Sequence, residues 1–337
     1  MVGTLTATDP DAGETFTFSG GDAQFTVSGN QVTVAGGLAA GAQSLNVTVT
    51  DSAGNPYSET ITINVTAVTQ PPTGTFVFVS DGNLYRADYD GTNVVNVTPI
   101  ASGGVSNPVW TPSSGYVAYV SGGSLYVMDP NNTGSIMQIV DSGTGTPISG
   151  FTPTWVDDDT LLFGSTQSGA AQIYTMDVNV SNGQASNIVQ LTTDGVNYSP
   201  SRSPVDGRIA FVSERNGEVA QIYVMNGDGT GQTKVSTDNT HAQNDPAWSP
   251  NGQYIAFVFD WGGGDQDIIR MNASNPSDAP NLTGSSTQAE TNPGWSPDSS
   301  RIIYQQNGTT YIMNVDGSGA TPISTGTAQT IDPTWHP

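Results

Sequence analysis

A repeated element of the form x-Pro-x-Trp constrains the fold of this chain more than any other feature. It occurs five times, and a sixth copy, Ser199-Pro-Ser-Arg202, has arginine in place of tryptophan. The anchors are 40 to 47 residues apart and are Trp110, Trp155, Arg202, Trp248, Trp295 and Trp335. Self-similarity at a period of about 40–50 residues, with four short strands per period, is typical of a β-propeller. The sequence therefore predicts an all-β propeller over residues 75–337.

The same short strands can be recognised in each period. The second strand is a compact apolar run such as Ile255-Ala-Phe-Val258, which is typical of a strand buried on both faces. The third strand carries patterns such as Ile222-Tyr-Val-Met225, and Asp-Gly pairs that favour hairpin turns follow several copies. Pairs such as Leu191-Thr192 and Leu282-Thr283 predict a short outer strand.

The two ends of the repeat region predict how it closes. It begins at Thr75 on a second strand and finishes on Asp332-Pro-Thr-Trp335, a first strand with no second strand after it. We therefore expect six blades, closed by the C-terminal strand, because closure hides edge strands that an open array would expose. The recurring tryptophans are predicted to pack between blades, whereas Trp261 breaks the repeat and is expected outside the core.

Composition limits the classes of partner and chemistry. The net charge is −23, from 7 Lys and Arg against 30 Asp and Glu, which argues against nucleic acid or an anionic membrane as a partner. The chain has no cysteine, which excludes disulfides, thiolate zinc sites and cysteine nucleophiles. No apolar run approaches the roughly 20 residues that span a bilayer, so membrane insertion is not expected.

Residues 1–68 have a different sequence pattern from the repeats. Short runs of alternating apolar and polar residues, separated by Gly, Asp and Asn, predict a small Ig-like or cadherin-like β-sandwich. Residues 69–74 contain Pro71-Pro72 and are predicted to be a stiffened linker, because proline restricts the backbone to extended conformations.

Three motifs in this segment resemble a bacterial cadherin-like repeat. They are Gly3-x-Leu-x-Ala-x-Asp-Pro-Asp-x-Gly13, Asn46-Val-Thr-Val-Thr-Asp51 and Ile61-Thr-Ile-Asn-Val65. In that family an Asp-x-Asp pair and a later aspartate help to hold calcium at the junction with the preceding repeat. The resemblance thus implies Ca²⁺ ligands at Asp9, Asp11 and Asp51, and further cadherin-like domains in the parent chain. Because Ca²⁺ takes six to eight oxygen ligands, the site is expected to be incomplete here; the alternative is that these aspartates only form turns.

The repeats in residues 75–337 resemble those of TolB-type, WD40-like (PD40) propellers. The likeness rests on Trp248-Ser-Pro-Asn-Gly-Gln-Tyr-Ile-Ala-Phe257 and on Ile222-Tyr-Val-Met-Asn-Gly-Asp-Gly-Thr230. Propellers of this kind serve periplasmic binding proteins, peptidase gating domains and some polysaccharide lyases, so the resemblance implies a fold more than a function. We expect no translocation or prolyl-peptidase role, since neither the α/β domain of TolB nor a hydrolase domain is recognisable.

Candidate ligand-binding residues fall on the predicted loops between each outer strand and the next inner strand, near the channel mouth. They are Asn107, Asn197, His241, Asn244, Asn292 and Asp332. Their amides and carboxylates could bind a peptide terminus, sugar hydroxyls or a cation. Lyases with a similar propeller use several histidines around a metal, whereas this chain has only His241 and His336. No catalytic or cofactor-binding residue is therefore assigned.

These observations predict a non-enzymatic fragment of a large secreted or cell-surface bacterial protein. Its propeller would be presented for protein or glycan binding in an adhesion-type role, and a periplasmic location is the alternative. The alternative function is a carbohydrate-active enzyme, a metal-assisted polysaccharide lyase that uses the propeller channel. A third option is that the propeller is only a spacer in an adhesin stalk.

Overall fold

A computed structural model describes the chain as two compact units, Met1–Pro71 and Pro72–Pro337. The residues described are 3–7, 15–20, 25–34, 41–65, 74–98, 104–132, 134–215, 217–284 and 288–335. The regular elements in these ranges are all β-strands, as predicted. None of the described segments forms a helix with the length and apolarity needed to cross a membrane. The predicted linker lies outside the described residues except for Gly74.

The first unit contains two three-stranded sheets within its described residues. Its strands are β1 (Gly3–Thr4), β2 (Thr17–Gly20), β3 (Phe25–Ser28), β4 (Gln31–Val34), β5 (Gly41–Thr50) and β6 (Pro56–Val65). The sheet orders are β1-β4-β3 and β2-β5-β6. A small core of Val32, Leu45 and Val47 contains residues of both sheets. The likeness to a cadherin-like repeat stays a prediction.

The described part of the second unit contains 24 strands in six sheets. They are β7 (Thr75–Ser80), β8 (Asn83–Asp88), β9 (Val95–Asn96), β10 (Val105–Trp110), β11 (Val117–Ser121), β12 (Ser124–Met128), β13 (Met137–Gln138), β14 (Val140–Asp141), β15 (Phe151–Trp155), β16 (Thr160–Ser165), β17 (Gln172–Asn179), β18 (Gln184–Gln190), β19 (Val196–Arg202), β20 (Ile209–Glu214), β21 (Gln221–Met225), β22 (Thr233–Lys234), β23 (Ala242–Trp248), β24 (Tyr254–Gly262), β25 (Asp265–Asn272), β26 (Glu290–Trp295), β27 (Arg301–Gln306), β28 (Thr309–Asn314), β29 (Thr321–Pro322) and β30 (Ile331–Trp335).

The sheets follow the sequence repeat. Sheet 1 has the strand order β30-β7-β8-β9, sheet 2 β10-β11-β12-β13, sheet 3 β15-β16-β17-β18-β14, sheet 4 β19-β20-β21-β22, sheet 5 β23-β24-β25 and sheet 6 β26-β27-β28-β29. Each begins with the strand that carries the x-Pro-x-Trp element or, in β19, its arginine variant; we call this strand the inner strand. The second strands, such as β11 and β20, are buried along nearly their whole length, which confirms the interpretation of the compact apolar runs.

Six hydrophobic clusters in the described residues of this unit each join two sheets. The five repeated tryptophans are only 4–7% exposed and lie in five of these clusters, which confirms their prediction as core residues. The sixth cluster, between sheets 3 and 4, contains no tryptophan; there Arg202 Nη1 donates to the Val156 carbonyl at 3.3 Å. Trp261 is 46% exposed, as expected from its place outside the repeat.

The C-terminal strand β30 pairs antiparallel with β7, the first strand of the unit. The register joins Ile331 to Val79 and Trp335 to Phe76. Trp335 also belongs to a cluster with Phe78 of sheet 1 and Ile303 of sheet 6. The first and last parts of the unit are therefore joined by both backbone pairing and apolar packing.

The predicted outer strands at Leu191-Thr192 and Leu282-Thr283 are both wrong: β18 ends at Gln190, and sheet 5 has three strands, none of which contains Leu282-Thr283. The physical reason is that a side-chain hydroxyl, and not the backbone of an outer strand, accepts a hydrogen bond from the third strand. The buried Thr283 hydroxyl accepts the N–H of Ile268 at 2.9 Å, and Thr192 does the same for Ile173 beyond the end of β18. A hydroxyl that satisfies a backbone donor removes the need for a ladder at that point.

Candidate functional site

The inner strands share an unusual backbone feature at the residue before proline. Every inner strand has a register shift there, and the pre-proline residue has a left-handed φ of 44–54°. We call these six residues the channel ring: Asn107, Thr152, Ser199, Asp245, Asn292 and Asp332. Proline lacks an N–H and is found in sheets at bulges or edges, so the x-Pro pair fixes the bulge. Asn and Asp tolerate a positive φ better than other non-glycine residues, and they fill four of the six positions.

The channel ring lines a single cavity of about 220 Å³. Its wall is made of three consecutive residues from each inner strand: the ring residue, the proline and the residue after it. The prolines are buried, whereas most ring residues are half-buried and reach the cavity. The six bulges therefore present polar groups from six sheets to one space.

Hydrogen bonds connect ring residues of neighbouring inner strands. Asp332 accepts from the backbone N–H of Asn107 at 3.0 Å and from Asn292 Nδ2 at 2.8 Å. On the other side, Ser199 donates its N–H to Thr152 Oγ1 at 3.2 Å and its hydroxyl to Asp245 Oδ1 at 3.3 Å. Two of these bonds join a backbone N–H to a side chain and two join side chains, and together they hold the polar wall in place.

Two carboxylates dominate the electrostatics of the cavity. Burial raises the pKa of Asp245, and the charge of Asp332 raises it further, although the Ser199 hydroxyl acts in the opposite direction. Burial also raises the pKa of Asp332, and the Asn107 N–H partly offsets this effect. Because burial makes the ionised form of each carboxyl group costly, hydrogen-bond donors or positively charged groups that enter the cavity are favoured.

The structure brings together only part of the predicted channel-mouth set. Asn107, Asn292 and Asp332 line the cavity, but they lie within inner strands rather than on loops, because the bulge turns them inward. Asn197 is fully buried and bonds to Gln172 and Arg215, and Asn244 accepts from Tyr198 OH. Neither these two nor His241 lines the cavity. A ligand-binding role for any of these residues stays a prediction.

Three ring residues, Thr152, Ser199 and Asp245, were missed by the sequence reasoning. The signal that could have found them is positional, since each stands immediately before the proline of its repeat. Residue type hid Thr152 and Ser199, because Thr and Ser are not common in a left-handed conformation; it does not explain why Asp245 was missed.

His241 belongs to a second polar and aromatic group, away from the channel ring. Its ring lies 5.3 Å from that of Phe259 and 5.5 Å from that of Trp261, measured between centroids. Its Nδ1 is within 3.3 Å of both Asp238 carboxylate oxygens. The other histidine, His336, lies outside the described residues.

The predicted calcium ligands are only partly described. Asp9 and Asp11 lie outside the described residues. Both oxygens of Asp51 accept hydrogen bonds from Asn55, one from the backbone N–H at 2.7 Å and one from the amide at 2.9 Å. The Asn55 side-chain bond is the largest cause of the lowered pKa of Asp51. In the described part of the chain no three His, Asp or Glu residues are grouped so as to hold a metal ion, and calcium binding stays a prediction.

Comparisons with known proteins agree with this architecture. Residues 75–337 match the family described as the TolB beta propeller domain (PD40). The crystal structure of TolB from Acinetobacter baumannii is similar with a TM-score of 0.63 and 20% identity, covering 96% of this chain and 83% of that one. A nidogen/laminin complex gives a TM-score of 0.60 at 14% identity, covering 78% and 99%. At such identities the likeness concerns the fold alone.

One curated relative shares sequence over a shorter stretch. It is an uncharacterized peptidase, YuxL, of Bacillus subtilis, which is 37% identical over 82 residues. The matched stretch is 24% of this chain and 12% of that protein.

Proposed function

This chain belongs to the family of TolB β-propeller domains, and on that premise we propose that its propeller is a binding module whose channel ring holds an extended segment of a partner protein. The observation that carries this proposal is the sixfold repetition of a left-handed residue at a bulge. Backbone conformations of this kind cost free energy and cluster at ligand-binding and active sites. Bulges likewise occur next to such sites, where they redirect side chains.

The proposal includes a closed six-bladed ring. In it, sheets 1 to 6 are the blades, and β30 completes the first blade by pairing with β7. The six apolar clusters support this arrangement, because each joins one sheet to the next and one joins sheet 6 to sheet 1. Closure arranges the six ring residues around a common axis, so that every blade contributes to the wall of the cavity.

A polypeptide segment fits the chemistry of this wall. A bulge takes one residue out of the regular ladder, so its polar groups are directed to the cavity rather than to a neighbouring strand. Extended peptides offer a regular series of N–H and C=O groups for such partners. The raised pKa values of Asp245 and Asp332 and the net charge of −23 favour segments rich in hydrogen-bond donors or basic residues.

The test is binding of the full chain to a peptide library and a glycan array, with variants that change one ring side chain. Asn107→Gly removes an amide while glycine accepts the φ of 49°. Asn187→Gly is the matched control, because Asn187 is also left-handed but exposed in β18, away from the cavity. We expect peptide hits whose affinity falls about tenfold in Asn107→Gly and is unchanged in Asn187→Gly, as for loss of one or two hydrogen bonds.

Two results contradict the proposal. Absence of any peptide hit does so, as does a set of hits that Asn107→Gly leaves unchanged. Glycan hits that depend on Asn107 instead support the glycan form of the binding role.

The second candidate function is the metal-assisted polysaccharide lyase. It is favoured by the raised pKa of both channel carboxylates, because a carboxyl whose pKa moves toward neutrality can exchange protons with a substrate. Its test is cleavage of acidic polysaccharides with added divalent metal, followed through the ultraviolet absorbance of the double bond that a lyase creates. Activity that is lost in Asp245→Asn, but kept in Asn187→Gly, would establish this function instead.

We further propose a secreted or cell-surface location with an adhesion-type role, and the periplasm as the alternative. The cadherin-like resemblance of residues 1–68 supports this location. Fractionation of the producing cells, with an antibody against the propeller, tests it; recovery from the cytoplasm alone contradicts it.

A further inference from the structure

We propose that a cleft beside Trp261, which we call the aromatic cleft, binds an arginine side chain of a partner protein. The cleft has a volume of about 190 Å³ and is lined by residues that include Asp238, Gln243, Phe259, Trp261 and Met271. It shares no lining residue with the channel cavity. The two are therefore separate sites, and this inference does not rest on the proposed channel function.

The cleft exists because sheet 5 departs from the repeat. The hairpin of β24 and β25 is long, because β24 continues to Gly262, and no outer strand pairs with β25. Instead, the chain after β25 runs beside it without forming a strand: Arg270 and Asn272 donate their N–H groups to the carbonyls of Pro280 and Asp278, and Asn281 forms an isolated antiparallel bridge with Ile269. Ile269 and Met271 of β25 line the cleft together with Pro276 and Ala279 of this irregular segment.

One wall of the cleft is an aromatic surface fixed in orientation. Trp261 Nε1 donates to Asp267 Oδ2 at 2.7 Å, and Asp267 is itself buried. The indole packs against Phe259, with ring centroids 4.4 Å apart, and against His241. Nearly half of the Trp261 surface remains exposed. An aromatic ring that is held in place and open to solvent is ready to stack on a flat or cationic group.

The polar groups of the cleft are acceptors. Gln243 is 2% exposed, and its Oε1 has no hydrogen-bond partner among the described residues. Buried acceptors are nearly always satisfied, so this one calls for a donor from outside the described residues, which a water or a ligand in the cleft would supply. At the rim, Asp238 accepts the N–H groups of Thr240 and His241 at 2.7 and 2.8 Å, and these bonds lower its pKa and keep it charged.

Arginine matches this combination better than other ligands. Its guanidinium is planar, carries five donors and no acceptor, and stacks on aromatic rings, which suits the ring of Trp261 and the acceptors of Gln243 and Asp238 that line the cleft. The chain uses the same chemistry internally, since Arg208 lies over Trp248 and Arg270 over Tyr254, 5.1 and 4.6 Å from the ring centroids. A net charge of −23 adds long-range attraction for a basic partner.

The test is NMR on the full chain with Nα-acetyl-arginine methylamide as the probe: affinities are read from the ligand signals, and the site is read from the indole N–H signals of ¹⁵N-labelled protein. The citrulline analogue, which has nearly the same shape without the charge, and a methyl glucoside are the comparison probes. We expect arginine to bind at least tenfold more tightly than citrulline and to shift the indole N–H resonance of Trp261, identified by its absence in Trp261→Ala.

Two variants locate the site, and a third is a control. Trp261→Ala removes the exposed wall, and Gln243→Met removes the buried acceptor at similar volume; each should lower arginine affinity at least tenfold. Tyr57→Ala removes an aromatic side chain that is 67% exposed in the first unit and should change nothing. Because Trp261 is largely at the surface, its variant keeps the test valid if Gln243→Met fails to fold.

The inference is overturned by equal binding of citrulline, by arginine binding that survives Trp261→Ala, or by no arginine binding at all. Binding of the glucoside in place of arginine overturns it as well, and it would assign the cleft to a glycan.

Discussion

Thr152 should be the most strained residue of the channel ring, and its replacement by asparagine should raise the free energy of unfolding of the protein. Thr152 is β-branched and has a φ of 44°, in the left-handed region. That conformation costs a non-glycine residue about 1–2 kcal/mol, and a β-branched residue is a marked outlier there, whereas asparagine tolerates it. The Thr152 hydroxyl also accepts the Ser199 N–H at 3.2 Å, a bond worth about 1 kcal/mol net.

Three substitutions separate strain from hydrogen bonding. Thr152→Asn relieves the strain and keeps an oxygen acceptor, so we expect a gain of about 1 kcal/mol in the free energy of unfolding. Thr152→Gly also relieves the strain, but it loses the hydrogen bond, and glycine loses more conformational entropy on folding. The free energy of unfolding should therefore change by about zero. Thr152→Ala keeps most of the strain and loses the bond, so a loss of about 1 kcal/mol is expected.

The assay is urea unfolding of the full chain followed by tryptophan fluorescence, because five of the six tryptophans are buried in the propeller. Midpoints should move while the slope stays constant. The reverse change, Asn292→Thr, is the control: it introduces a β-branched residue at a φ of 54° and removes the bond to Asp332, so it should destabilise by about 2 kcal/mol. The reasoning is refuted if Thr152→Asn is no more stable than Thr152→Ala.

Three further predictions concern charge, closure and calcium. Asp245→Asn should stabilise the fold at pH 7, because burial raises the pKa of Asp245 and the folded state then binds more protons than the unfolded chain. The free energy of unfolding of the unsubstituted protein should therefore fall as the pH rises above about 4, the usual carboxyl pKa. In urea titrations, the gain from Asp245→Asn should be largest near pH 7 and should shrink as the pH is lowered toward 4. A gain that does not depend on pH contradicts this prediction. Deleting residues 331–337 leaves the edge of β7 unpaired, so size-exclusion chromatography should show aggregates; a monomer with unchanged unfolding contradicts it. If residues 1–68 bind calcium, excess Ca²⁺ should raise the unfolding midpoint relative to EDTA, and Asp51→Asn should abolish the shift; equal midpoints in Ca²⁺ and EDTA contradict it.

The sequence was most informative where packing repeats. The x-Pro-x-Trp elements and the apolar runs give inner and second strands at the predicted places, because a buried strand needs the same residue types in every copy. Polar contacts were less visible. Thr192 and Thr283 read as strand residues, yet each acts through a hydroxyl that bonds a backbone N–H of the third strand.

The candidate site was predicted only in part for a related reason. Asn107, Asn292 and Asp332 attract notice as polar side chains, but the property that joins the six ring residues is the sign of φ, which residue type does not determine at Thr152 and Ser199. The aromatic cleft is lined in part by the irregular segment that runs beside β25, and the apparent strand signal at Leu282-Thr283 hid that irregularity. Only Trp261, as the tryptophan outside the repeat, pointed to it.

The two proposed sites use the repeat in opposite ways, and this makes them separable by experiment. The channel ring depends on a feature that all six inner strands share, so a change at one member weakens one of several similar contacts. The aromatic cleft depends on one sheet and on Trp261, so one substitution removes its wall. Since the cavities share no lining residue, Asn107→Gly should leave arginine binding unchanged and Trp261→Ala should leave channel binding unchanged. Loss of both activities in either variant would mean that the sites are coupled or that the fold is damaged, and urea unfolding of the same variant distinguishes these cases.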